Sequence, residues 1–209
     1  MFEKLTDGFR KSPFLWSGVI AIVMITALTP FTRRVPLPPE VFGQVPSFTM
    51  INHLSEPFGS EQLKGQTWVA SFIFTRCKTF CPIITKQLLE LQNKIANSGL
   101  QLKIVSFTVD PEFDTPETLN RYAQSVEADT AKWTFLTAEH ARLKELIESG
   151  FKLGMGELVE TSDLIDIAHA QKLVLVDAQG RMRGYYDATS TGIDEIFYRA
   201  EAVVGESLY

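Results

Sequence analysis

The 209-residue chain has only two cysteines and three histidines. Two cysteines cannot build a disulfide scaffold, nor an all-cysteine tetrahedral zinc site. Cations are also in deficit. Twenty Lys and Arg face 25 Asp and Glu, a formal charge of −5, and this gives a nucleic-acid partner no electrostatic footing. Thirteen glycines and ten prolines are too few for a collagenous polymer, and no internal repeat or low-complexity tract is present. Apolar material, by contrast, is ample. Hydrophobic residues make up 45% of the chain, 15 of them Phe, enough for the core of one domain with an appendage.

The charge is unevenly spread. Residues 1–34 carry Lys4, Arg10, Lys11, Arg33 and Arg34 against Glu3 and Asp7, so the remaining chain is strongly acidic. Between Ser12 and Thr32 no charge occurs. A helix of that length spans about 30 Å, the thickness of a bilayer's hydrocarbon core. Trp16 suits one interface and Arg33-Arg34 closes the other. The reading is a single N-terminal transmembrane helix at 12–32, behind a short cytoplasmic N-terminus (1–11). A cleaved signal peptide fits less well, because the apolar stretch is long and lacks a small-x-small cleavage site. The excess of basic residues before the span keeps the N-terminus in the cytoplasm. The protein is then expected in the inner (cytoplasmic) membrane, its acidic body facing the periplasm or another extracytoplasmic space. Val35-Pro36-Leu37-Pro38-Pro39 lies in an extended linker, 33–44, ahead of a domain at 45–209.

Within the body, Trp68–Thr75 reads as a strand buried on both faces. Pro82 opens a helix with Ile84, Leu88, Leu91 and Ile95 on one stripe, ending at Asn97-Ser98-Gly99. Leu102–Val109 is a second buried strand. Thr115 caps a helix that has Pro116 at its first position. Trp133–Leu136 is a strand and Glu139–Ser149 a helix. Leu173–Val176 and Met182–Tyr186 form a hairpin through Asp177-Ala178-Gln179-Gly180, and a last helix covers Ile193–Val203. The pattern predicts an α/β sandwich with a mixed central sheet, in an order compatible with a thioredoxin-like fold. Residues 152–168 form a long loop of the kind that carries function.

Both cysteines, Cys77 and Cys81, lie where the first buried strand gives way to a helix, at the sheet end where open α/β folds place their sites. Four-residue spacing sets their side chains on one side of a helical turn. The helix N-terminus, Arg76 and Lys78 favour thiolate over thiol. Two thiolates serve disulfide exchange as a redox-active pair, or supply two of three ligands for a soft metal such as copper, with zinc the competitor. A third ligand would come from His53, His140 or His169. His140 begins a charged helix and reads as solvated. His53 stands in the polar stretch Asn52-His53-Leu54-Ser55 and reads as a surface residue. His169 shortly precedes a buried strand. Met155, between Gly154 and Gly156, is a packing residue or a soft auxiliary ligand.

Three stretches in register, Phe74-Thr75-Arg76-Cys77-Lys78-Thr79-Phe80-Cys81-Pro82, Val109-Asp110-Pro111-Glu112-Phe113-Asp114-Thr115-Pro116, and His169 followed by Leu173–Val176 and Asp177-Ala178-Gln179-Gly180, resemble the Sco/SenC family of membrane-tethered copper-binding proteins. The resemblance covers about residues 45–205. It implies a thioredoxin-like fold and a copper site made by Cys77, Cys81 and His169. It also implies a metallochaperone role in assembling the dinuclear copper centre of cytochrome c oxidase, with the copper-receiving subunit or its assembly factors as partners. Asp110 and Asp114 would order the Pro-rich loop and its helix. Many relatives have Pro, often followed by Asp, after the first cysteine, where this chain has Lys78-Thr79; Asp166-Ile167-Ala168 also departs from their frequent V-D-H. A cation at position 78 acidifies the thiols and repels incoming copper. It therefore keeps open a second function, an extracytoplasmic thiol-disulfide oxidoreductase that reduces partner cysteines without storing metal.

Overall fold

The structure, a computed structural model, describes residues 16–24, 39–76, 81–154 and 172–206; of Cys81 only the backbone is described. The chain divides into two units between Pro36 and Leu37. In the first, residues 16–24 are helical, with Trp16, Val19, Ile20, Ile22, Val23 and Met24 exposed. Most of the expected span 12–32 lies outside the described residues, and among those described no helix is long and apolar enough to cross a membrane.

The second unit is an α/β sandwich on one mixed sheet. Its elements are β1 (Gly43–Gln44), β2 (Thr49–Asn52), β3 (Pro57–Gly59), α1 (Ser60–Leu63), β4 (Thr67–Ile73), α2 (Cys81–Ser98), β5 (Leu102–Thr108), α3 (Pro116–Ser125), β6 (Trp133–Thr137), α4 (His140–Glu145), β7 (Lys172–Val176), β8 (Arg181–Asp187) and α5 (Ser190–Glu206). The strands lie in the order β1-β8-β7-β4-β5-β6-β2-β3. β4, β5 and β6 run parallel, joined by crossovers through α2 and α3, while β7 returns antiparallel beside β4.

The period-two alternation of β4 divides two cores. Val69 and Ile73 meet Leu88, Leu91 and Ile95 of α2, Leu119 of α3 and Ile196 of α5 on one face. Trp68, Ala70 and Phe72 meet Phe107, Leu143, Ile147 and Phe151 on the other. Ser71 is the polar exception in the run. It is accommodated because its hydroxyl pairs with Ser106 Oγ at 2.6 Å, which also accepts from the Trp133 indole at 2.8 Å.

Local signals explain the helix ends. The Thr115 hydroxyl accepts from Thr118 N, with Pro116 in the first position of α3. Gly99 adopts φ +72° just past α2, a left-handed stop that glycine takes without steric cost. The helix expected over Glu139–Ser149 is α4 for only six residues and then widens into a π-turn at Leu146–Gly150, which keeps Leu146 and Ile147 buried.

Three short strands that the sequence pattern does not announce, β1, β2 and β3, precede Trp68, and pairing begins at Gly43. His53 requires a correction. It is not a surface residue but 3% exposed, because its backbone N–H donates to Phe135 O and its ring packs edge-on against the Phe135 ring. Gly192, in the first turn of α5, is also buried, and a methyl group there would run into the Asp187 carbonyl. Gly192→Ala should therefore lower stability by about 1–3 kcal/mol, the cost of overpacking. At an exposed helical site the same change would add about 1 kcal/mol. Urea unfolding of the two proteins checks the sign.

Candidate metal centre

β4 carries the first cysteine's segment out of the sheet and α2 begins at Cys81, so the pair is separated by a strand–helix junction at the carboxyl end of the parallel strands. Cys77, His169 and Met155 lie outside the described residues, as does the Cys81 side chain. Among the described residues no cluster of three or more His, Cys, Asp or Glu could hold a metal.

What is described is the frame around the junction. Thr75 and Arg76, the last two residues before Cys77, are each held by a carboxylate from the segment after β5. Asp114, fully buried, accepts from Thr75 N at 3.1 Å, from the Thr75 hydroxyl, and from the Thr108 hydroxyl at 2.6 Å. Asp110, 2% exposed, accepts from Arg76 Nε at 2.5 Å, and the Arg76 guanidinium lies 5.4 Å from the Phe113 ring centroid. The Asp110 carbonyl in turn accepts from the backbone of Phe113 and Asp114, closing the loop. The two aspartates thus order this loop, as expected from the sequence. The cap of α3, however, is Thr115, and the aspartates' side chains reach back to β4.

Burial raises the Asp114 carboxyl above its ordinary range; hydrogen bonds from Thr108 and Thr75 oppose this, and the nearby Asp110 adds to it. A raised folded pKa means the folded state binds the proton more tightly. Asp114's contribution to stability is then fully present below the unfolded value of 3.8 and is lost as pH rises through the folded value. Relative to Asp114→Asn, the reduced metal-free protein should lose stability as pH rises from 3.8. Denaturant unfolding across that window gives the difference, and a flat or rising difference would contradict this origin.

The histidines separate clearly. His140 is exposed at the start of α4, as its sequence setting implied. His53 is level with Ser71 across three strand pairings. With strands about 4.8 Å apart and about 3.3 Å per residue, it stands on the order of 20 Å from Thr75. Burial also lowers its pKa, so the ring is neutral, and the Phe135 N–H donates to Nδ1 at 3.4 Å. The ring proton therefore sits on Nε2, which has no hydrogen-bond partner. Neither nitrogen offers a lone pair to a metal at the cysteine end. The grip of Asp114 on Thr75 was the feature least visible in the sequence, because the two are 39 positions apart and meet only through the pairing of β4 with β5.

Comparison with known proteins agrees with this architecture. The SCO1/SenC family model matches residues 40–204. The SCO1 protein homolog of Bacillus subtilis is 32% identical over 155 residues, covering 73% of this chain and 79% of that protein. A Stutzerimonas stutzeri protein named for copper binding is 29% identical over 145 residues, 69% of each chain. Among solved structures, a SCO1/SenC family lipoprotein from Bacillus anthracis superposes with a TM-score of 0.69 at 28% identity, over 77% of this chain and 95% of that one. BsSco, described as having a disulfide switch and as a member of the Sco family of cytochrome c oxidase assembly proteins, superposes with the same TM-score and identity, over 80% and 98%. By sequence and by fold, the chain belongs to the SCO1/SenC family.

Proposed function

We propose that this protein captures copper between the thiolates of Cys77 and Cys81 and the imidazole of His169, and passes it to the copper-receiving subunit of cytochrome c oxidase during assembly of its dinuclear copper centre. The observation that carries this reading is the pairing of β7 against β4. Ala70 faces Val174 and Trp68 faces Val176. The strand that follows His169 in the sequence thus lies beside the strand that leads toward Cys77. Neither His53 nor His140 has comparable support.

The donor set fits copper. Paired thiolates hold Cu(I), and an imidazole accommodates Cu(II). The family relatives named for copper binding and for oxidase assembly support both the ion and the client. Tethering through residues 12–32, with the domain on the extracytoplasmic side, accords with the exposed apolar helix at 16–24 and the basic residues that flank the uncharged run.

The second reading, a thiol-disulfide oxidoreductase that reduces partner cysteines, draws on Lys78 beside the first cysteine and on the disulfide switch described for BsSco. Copper titration of the detergent-solubilised chain, once reduced and once oxidised, tests the first reading. The expected result is one equivalent bound by the reduced form, with sulfur-to-copper absorption for Cu(II), and none by the oxidised form. Rapid disulfide turnover without copper binding would overturn it in favour of the second.

A further inference from the structure

The two aspartates that reach back to β4 do more than order their own loop. They grip consecutive residues, Thr75 and Arg76, immediately before Cys77. Asp114 takes both the backbone N–H and the hydroxyl of Thr75, so it fixes the direction in which the chain leaves the sheet. Its third donor, Thr108, ends β5, and Thr108 Oγ also accepts from Asp110 N at 2.9 Å. The brace is thus anchored in the central sheet and not in a surface loop. Asp110 receives the Arg76 side chain and holds it over Phe113. This draws the cation toward a buried carboxylate. The Arg76 side chain is half exposed while the Asp110 side chain is 3% exposed, so the carboxylate is the fixed partner and the arginine the one being held.

We infer that Asp114 and Asp110 are positioning residues for the dithiol. Asp114 fixes Thr75, two residues before Cys77, and Asp110 fixes the charge of Arg76, the residue next to that cysteine. This inference rests on the proposed use of Cys77 as a ligand or redox thiol. Neither aspartate is assigned a bond to copper; both act through residues 75 and 76.

The test compares full-length Thr75→Val, Thr75→Ser, Asp114→Ala and Asp110→Asn with a control, Asn52→Ala. The control removes the acceptor for Leu54 N and Glu56 N at the distant β2–β3 turn. Copper affinity of the reduced proteins and the ratio of Cys77 to Cys81 alkylation by iodoacetamide are measured at a temperature where all remain folded by circular dichroism. Thr75→Val and Asp114→Ala should lose about 10- to 100-fold in affinity, the size of effect seen when an outer partner of a metal site is removed. Asp110→Asn should shift the alkylation ratio, Thr75→Ser should restore both readouts, and Asn52→Ala should leave both unchanged. Should Asp114→Ala fail to fold, the Thr75 pair carries the comparison. Wild-type values in Thr75→Val and Asp110→Asn, or an equal loss in Asn52→Ala, would overturn the inference. If wild type itself binds no copper, the proposed function fails, and the alkylation ratio alone decides the brace.

Discussion

Cys77→Ser and Cys81→Ser will each leave a folded protein whose copper affinity falls by more than about 100-fold, the upper end of what losing an outer partner costs. Serine preserves the size of the side chain but keeps its proton at neutral pH, so a soft anionic donor is replaced by a hard neutral one. His169→Ala divides the two oxidation states. With both sulfurs intact, Cu(I) has the two soft ligands it favours and should stay bound. Cu(II) loses its nitrogen donor, so its affinity and its sulfur-to-copper absorption should drop together. Competition titrations against a Cu(I) chelator and a Cu(II) chelator measure the two arms separately. Equal losses in both arms would mean that the imidazole does not distinguish the oxidation states. No loss in either would remove His169 from the site.

Arg183→Ala should cost about 3–5 kcal/mol, because it strands a buried carboxylate. Arg183 is 3% exposed and donates to Asp177 at 3.1 Å, to the Pro39 carbonyl at 2.8 Å and to Glu206 at 2.7 Å. One guanidinium therefore ties the β7–β8 hairpin, the end of α5 and the start of the globular unit. Asp177 also accepts from Gln179 N, Arg181 N and Arg181 Nε, which shape the turn but leave its charge only partly compensated once Arg183 is gone. The Glu206 side chain is 45% exposed, so solvent screens its contact. Glu206→Gln should accordingly cost less than about 1 kcal/mol. Equilibrium urea unfolding of the reduced, metal-free protein distinguishes the two. Similar costs for both variants would show that Asp177 is not the group being stranded.

Much of this fold could be read from single residues. The Thr115-Pro116 cap, the Gly99 stop, the apolar stripe of α2 and the Asp177–Gly180 turn are local devices, and the structure carries each where the sequence implied it. The β2–β3 hairpin was not legible. Its strands are four and three residues long, and the inward positions of β2 include a polar side chain, Asn52, which serves the turn. His53 looked solvated because its sequence neighbours are polar, yet its burial comes from Phe135, 82 residues away. The aspartates of the second motif looked like loop residues for the same reason. Thr75 is 39 positions from Asp114, and only strand register joins them. The proposed ligand set rests on the resemblance; to it the described residues add that β7, which follows His169 in the sequence, lies beside β4, which precedes Cys77.

The outermost strands bear on how another chain could add to the sheet. Among the described residues the sheet finishes at one margin with two residues, Gly43–Gln44, and at the other with three, Pro57–Gly59, the first of which has no amide hydrogen. Neither of these short strands is itself a long template for a foreign backbone, but β1 pairs with only Arg181 and Met182 of the seven-residue β8. Among the described residues, the longest stretch along which another backbone could extend the ladder is therefore β8 beyond Met182, and not either terminal strand.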